Sequence, residues 1–164
     1  MTGAASAAEP GSATGGCEDY QWDMNREMAL LGAAPIAVTA LKARTEDARF
    51  TPLDRRLQVN LHPEAEVTPL APPGRVHDAA ASHAGLMLLY VPRSGAYRIS
   101  SDQRLWIDVV GPDGVVKSSR FAMQIGCAKL VKSVAFRLDP EIGYWIQLTG
   151  SPVREPMLLI TLDR

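Results

Sequence analysis

Residues 84–110 read AGLMLLYVPRSGAYRISSDQRLWIDVV, a pattern typical of consecutive β-strands. Turn-forming residues separate three short apolar segments, and the second and third segments alternate apolar with polar side chains. Such alternation turns one face of a strand toward a core and the other face outward. The same succession of strands and turns continues through residue 164.

The C-terminal half is therefore predicted to consist of consecutive β-strands that belong to one domain. Four further segments with turn residues between them are predicted as strands, residues 115–121, 130–138, 144–149 and 157–162, and residues 130–138 show the alternation most fully. Strands at roughly this spacing are typical of sandwiches and jelly rolls. We predict an all-β fold, an antiparallel, jelly-roll-like β-sandwich of about eight or nine strands. Lys132 interrupts an apolar strand face, which indicates that this part of the strand lies at the rim of the sheet.

The N-terminal part is predicted to contain a disordered segment and one helix that precede the strands. Residues 1–16 are mostly small and are predicted to be a disordered segment, followed by a single domain over residues 17–164. One α-helix is predicted at about residues 20–31, because four apolar residues share a helical face: Tyr20, Met24, Met28 and Leu31. Its polar side, with Asp23, Arg26 and Glu27, is expected to face solvent.

Three more strands are predicted between the helix and the main block. Residues 53–61 alternate apolar and polar side chains, and residues 35–43 are predicted as a strand, with a second helix as the alternative because of their alanines. Residues 66–70 form a candidate edge strand because Pro69 cannot donate a ladder hydrogen bond.

Composition excludes some classes of function. The formal net charge is −1 and basic residues are scattered singly, so no nucleic-acid partner is predicted. No apolar run approaches the ~20 residues of a transmembrane helix. Residues 1–16 lack the basic and apolar regions of an intact signal peptide, which is compatible with a mature exported protein or a cytosolic one.

The two cysteines bear on the compartment. We predict a disulfide between Cys17 and Cys127, which would close a loop of about 110 residues. The alternative is two unpaired thiols in a reducing cytosol. A bridge favours a periplasmic or secreted protein, and unpaired thiols favour a cytoplasmic one.

Aromatic residues are the best candidates for ligand binding. Trp145 shares a strand face with Gln147, so an exposed indole beside an amide could stack on a sugar ring. Trp106 and Asp108 share a face of another strand. The structural alternatives are that a second layer, such as the N-terminal helix, covers Trp145, and that Asp108 accepts a hydrogen bond from a turn amide.

Catalytic and metal-binding patterns are missing. There is no Gly-x-Ser-x-Gly motif, and no catalytic residue or cofactor is predicted. His77, Asp78 and His83 are the nearest approach to a metal site, but their spacing does not place two imidazoles on one ion. The alternative is that these loop residues converge on one metal ion in the folded protein.

The C-terminal half also resembles a known family. The segments YVPRSGAY, WID, DG, FRL and YWI, at residues 90–97, 106–108, 113–114, 136–138 and 144–146, resemble the bacterial pre-peptidase C-terminal type of β-sandwich. That resemblance implies a module that accompanies secreted enzymes and acts in binding or targeting. Such modules often bind calcium through acidic turns. Here the turns offer little beyond Asp108 and Asp113, and no calcium site is predicted.

Together these features predict a non-catalytic exported module that binds a glycan, a small ligand or a protein partner. Two alternatives stay open. One is a metal-assisted enzyme that uses His77, Asp78 and His83, and the other is a structural subunit that pairs sheet edges in an oligomer.

Overall fold

The computed structural model describes residues 14–75 and 78–163 and shows an all-β sandwich. Within these residues eleven strands form two sheets. The strands are β1 (Ile36–Thr39), β2 (Leu57–Asn60), β3 (His62–Pro63), β4 (His83–Leu89), β5 (Gly95–Ser101), β6 (Trp106–Gly111), β7 (Gly114–Val116), β8 (Ser118–Met123), β9 (Lys132–Leu138), β10 (Tyr144–Ser151) and β11 (Met157–Leu162).

The two sheets differ in size. One sheet has six strands in the order β1-β2-β11-β5-β9-β8, and the other has five in the order β3-β4-β10-β6-β7. The paired strands described here are antiparallel except β1 and β2, which run parallel with Ile36 opposite Leu57. The predicted fold class, an antiparallel sandwich with one α-helix, is confirmed.

The main core lies between the sheets. Alternate residues of the facing strands supply it, among them Tyr97 and Ile99 of β5, Val109 of β6 and Ile146 of β10, and all four are buried. Each fully buried large apolar side chain stabilises the fold by roughly 1.5–3 kcal/mol. The period-two pattern in the sequence therefore identified the inner faces correctly.

Two predicted strands differ from the structure. The predicted strand at residues 115–121 divides at Lys117, because the chain there leaves the five-stranded sheet as β7 and joins the six-stranded sheet as β8. Residues 66–70 form no strand. In place of a strand ladder, this segment makes isolated backbone contacts, such as the hydrogen bond from the Thr68 amide to the Lys42 carbonyl.

The N-terminal helix, α1 (Asn25–Leu30), is shorter than the predicted span of residues 20–31. Asp23 accepts a hydrogen bond from the Asn25 amide, a local turn that competes with helix upstream of this point. Residues Cys17–Asp19 form a separate 3-10 helix. The four apolar residues still pack together, in a second core on the outer face of the six-stranded sheet. Residues 1–13 of the predicted disordered segment lie outside the described residues.

A disulfide joins Cys17 to Cys127, as predicted. It links the N-terminal segment to the loop between β8 and β9, beside second-core residues Met24, Leu130 and Leu159. No helix in the described part of the chain has the length and apolar character needed to cross a membrane.

Candidate ligand-binding cleft

A cleft of about 370 Å³ lies between the two sheets, beside their edge strands β7 and β8. The chain crosses between the sheets at Lys117, so the sandwich ends here and its interior can be reached from the side. We call it the Lys132 cleft. Its lining includes Trp106, Asp108, Val116, Phe121, Lys132 and Val134.

Lys132 is held in the cleft by its strand. It is the first residue of β9 and shares the inner face of the sheet with Val134 and Phe136, so its side chain points between the sheets. Its exposed fraction is only 2%. The ammonium nitrogen Nζ donates a hydrogen bond to the Leu105 carbonyl at 2.8 Å.

Two aromatic rings flank this nitrogen. Nζ lies 5.0 Å from the ring centroid of Trp106 and 5.4 Å from that of Phe121. Both distances are within the range in which a cation is attracted by a ring face. Among the described residues, no carboxylate forms an ion pair with Lys132. The charge is therefore stabilised by one carbonyl and two rings.

Burial lowers the pKa of Lys132 to about 8, because the charged form loses its hydration in the cleft. The guanidinium groups of Arg75 and Arg104 lower this pKa further, and the Asp108 carboxylate acts in the opposite direction. At neutral pH the amine is mostly protonated, and it can donate a charged hydrogen bond to a ligand.

Trp106 and Asp108, two predicted ligand-binding residues, meet at this cleft. The indole Nε1 donates to Asp108 Oδ1 at 3.1 Å, and Oδ2 of the same carboxylate accepts from the Gly74 amide at 3.1 Å. Position 74 has no room for a side chain, because a Cβ there would approach the indole nitrogen to 2.4 Å. Asp108 therefore orients Trp106 and fixes the segment that contains Gly74, the amide role considered from the sequence.

Gln147 and Trp145, the other two predicted ligand-binding residues, are not part of the cleft lining, although Gln147 lies opposite Asp108 on the neighbouring strand. Gln147 is fully buried on the outer face of the five-stranded sheet, where Oε1 accepts from the Leu70 amide at 2.8 Å and Nε2 donates to the Ala71 carbonyl at 3.0 Å. Trp145 is half-buried on the same strand and outside the cleft lining. The layer over this face includes residues 70–71 rather than α1, which packs on the other sheet.

The three metal candidates do not assemble within the described residues. His77 lies outside them. Asp78 is exposed and accepts a hydrogen bond from the Ala80 amide, while His83 begins β4 opposite Pro63. In the part of the chain that the structure describes, no group of three His, Cys, Asp or Glu side chains could hold a metal ion.

A second cavity, of about 340 Å³, lies under the N-terminal segment beside Trp22. One residue of its lining, Glu27, differs from the prediction. Glu27 was predicted to face solvent, but it is 1% exposed and accepts hydrogen bonds from Arg98 at 3.3 Å and from the Thr161 hydroxyl. The reason is that α1 lies flat on the sheet, so that both its apolar side chains and Glu27 meet outward-facing strand residues.

The charges in this second cavity balance one another. Arg98 also donates to Asp163 at 2.7 Å, and the Trp22 ring lies against the guanidinium groups of Arg98 and Arg120 at 5.3 and 4.3 Å. These groups bind the N-terminal segment to the sheet. In contrast to this second cavity, the Lys132 cleft holds a buried charge that lacks an ion-pair partner in the described chain.

Sequence reasoning missed Phe121 and Lys132 as site residues. The signal for Lys132 was present, since a lysine on an apolar strand face is a local inconsistency of the kind found at functional sites. Phe121 carried no comparable signal, because an aromatic residue on a strand is ordinary.

The fold and the cleft define a β-sandwich with a small, aromatic-lined opening between its sheets and a buried lysine inside. No protein-family model, curated protein or solved structure matches the chain. The resemblance to pre-peptidase C-terminal modules therefore stays a prediction.

Proposed function

We propose that this protein is an exported, non-catalytic binding module. Its ligand is a small molecule with an apolar body and one acceptor group, such as a carboxylate. The observation that carries the proposal is the buried Lys132 ammonium, placed between two aromatic rings in a cleft and lacking an ion-pair partner among the described residues.

The size and lining of the cleft support a small ligand. Its volume of about 370 Å³ lies at the lower end of the range for small-molecule sites. Trp106 and Phe121 offer ring faces to an aromatic or aliphatic body, and Val116 and Val134 supply apolar walls. A ligand body there would displace water from apolar surface, which favours binding.

The charges support an anionic or electron-rich end group. Lys132 brings a buried positive charge into the cleft, and Asp108, the carboxylate among the described lining residues, is already engaged by the Trp106 indole and the Gly74 amide. A carboxylate beside Nζ would supply the ion-pair partner that the described residues do not provide, and charge-assisted hydrogen bonds of this kind contribute about 1.5–3 kcal/mol.

Export is supported by the disulfide, since such bonds persist in the periplasm and outside the cell. A glycan bound at Trp145 stays a prediction with less support, because the neighbouring Gln147 amide is buried and bonded to the backbone. No contact among the described residues favours a protein partner, an oligomer or a metal-assisted enzyme over the cleft.

The proposal is tested by titrating the protein with 2-naphthoate in a calorimeter and comparing its neutral analogue, 2-naphthamide. We expect the carboxylate to bind roughly 10- to 100-fold more tightly than the amide, the equivalent of one charge-assisted hydrogen bond. Lys132→Met should remove this difference, and Phe121→Ala should weaken both compounds.

The matched control is Ile125→Ala, which removes an exposed apolar side chain outside the cleft lining and should bind both compounds normally. The proposal is wrong if the wild-type protein binds neither compound. It is also wrong if Trp145→Ala abolishes binding while the cleft variants retain it.

A further inference from the structure

We infer that Lys132 captures small carbonyl compounds, apolar aldehydes above all, as a reversible imine in the Lys132 cleft. This inference rests on the proposed function, because the same cleft must first hold the apolar body of the ligand. It goes beyond that function by assigning a covalent modification site and a ligand class.

The geometry sets the amine apart from a surface lysine. Nζ has one hydrogen-bond acceptor within the described residues, the Leu105 carbonyl, whereas an ammonium group can donate three hydrogen bonds. A neutral amine still donates to that carbonyl and keeps a lone pair for attack. Burial in the cleft therefore destabilises the protonated ammonium more than the neutral amine, which is the nucleophilic form.

Burial acts in the same direction. With a pKa of about 8, roughly a quarter of the Lys132 amines are neutral at about pH 7.5. A lysine with the ordinary value of 10.5 is neutral in only about one molecule in a thousand at that pH. Lys132 is thus the lysine of this chain whose environment favours attack on a carbonyl carbon.

The reaction balances without an oxidant or a reductant. The lone pair of Nζ forms a bond to the carbonyl carbon, the C=O π pair moves to oxygen, and a proton passes from nitrogen to oxygen to give a carbinolamine. Loss of the hydroxyl group and of the remaining N–H proton as one water molecule gives the imine. Hydrolysis by the reverse path releases the aldehyde.

The cleft supplies the selectivity. Trp106 and Phe121 flank the nitrogen at 5.0 and 5.4 Å, so the body of an aromatic aldehyde can lie against a ring while its carbonyl faces Nζ. A small hydrophilic aldehyde gains nothing from these rings and should react more slowly.

The experiment incubates the folded protein with 2-naphthaldehyde and sodium cyanoborohydride at about pH 7.5, and locates the reduced adduct by peptide mass spectrometry. Peptide mapping separates an adduct on the α-amino group from one on a lysine, and the sequence contains four lysines, Lys42, Lys117, Lys129 and Lys132. We expect Lys132 to be labelled at least tenfold faster than the exposed Lys129. We also expect 2-naphthoate to slow labelling of Lys132 and to leave Lys129 unaffected.

The outcomes separate this inference from the proposed function. If 2-naphthoate binds in the cleft but Lys132 is labelled no faster than Lys129, the imine is excluded and the binding function stands. If the carboxylate does not bind and Lys132 is not labelled, both fail. Lys132→Arg, which keeps the charge but cannot form an imine, should retain binding of 2-naphthoate and lose the adduct. Because the competition uses the wild-type protein, it decides the question even if a variant fails to fold.

Discussion

Replacing Lys132 by Met should change how the stability of the protein depends on pH. In the folded protein the pKa of this lysine is about 8, against 10.5 for an ordinary lysine. Between these values the unfolded chain binds more protons than the folded one, so the free energy of unfolding rises with pH. Burial of the charge thus lowers stability at pH values below about 8, and this cost disappears as the pH rises toward 10.5.

The size of this stability change follows from the difference between the folded and unfolded pKa values of Lys132. From about pH 7 to about pH 9.5 the wild-type free energy of unfolding should increase by about 2 kcal/mol through Lys132 alone. Burial also raises the pKa of Tyr20, so the unfolded chain loses that proton first above about pH 10, which lowers stability. Measurements that stop near pH 9.5 avoid most of this opposing effect.

The assay is urea unfolding followed by circular dichroism, with the disulfide intact, near pH 7 and near pH 9.5. Lys132→Met should lose the rise with pH. It should also be about 1–2 kcal/mol more stable than the wild type near pH 7, because relief from the buried charge exceeds the loss of one hydrogen bond.

Lys129→Met is the matched control, since Lys129 is exposed and should keep the wild-type rise. The reasoning would be refuted by a wild-type stability that does not rise over this interval. An equal rise in Lys132→Met would refute it as well.

Three further predictions concern the segments that cover the sheets. Replacing Cys17 and Cys127 together by Ser should lower the free energy of unfolding by about 4–5 kcal/mol, because the bridge closes a loop with a sequence separation of 110 residues. Glu27→Gln should cost about 3 kcal/mol in urea unfolding, since it leaves a buried guanidinium without one of its two carboxylates. Gln147→Leu should cost about 1–3 kcal/mol and speed amide exchange at Leu70, whose N–H it leaves without an acceptor.

Each of these has a control or an opposing result. For the disulfide, unchanged stability after removal of both sulfurs would show that the second core alone holds the N-terminal segment. Glu18→Gln changes an exposed carboxylate and should leave the free energy of unfolding unchanged. An equal loss of stability in Glu18→Gln and Glu27→Gln would contradict the stabilising role of the buried Glu27. For Gln147, exchange at the Leu70 amide that stays slow would mean that the side chain does not hold that segment.

The strand pattern of the C-terminal half was predictable because each strand has one buried face. A period of two then places residues such as Tyr97, Ile99 and Ile146 in the core whichever strands pair. The disulfide was predictable from the presence of two distant cysteines. The break at Lys117 was not, because a change of sheet within an apolar segment leaves no local signal.

The site was only partly predictable, for a physical reason. Trp106 and Asp108 attract attention on their own strand, and they do lie at the cleft. Lys132 and Phe121 become site residues only because β8 and β9 lie opposite β6 across the end of the sandwich, which is a property of the tertiary fold. Glu27 was misjudged for the same reason, since its buried partner Arg98 is 71 residues away in the chain.

The central claim is that the cleft between the sheets is a ligand site organised by its buried lysine. A crystal structure of the protein with 2-naphthoate tests this claim most directly. We expect the naphthyl ring to lie in the cleft against its apolar lining, with a carboxylate oxygen about 2.7–2.9 Å from Lys132 Nζ. An empty cleft, with the compound bound on the outer face beside Trp145, would contradict it.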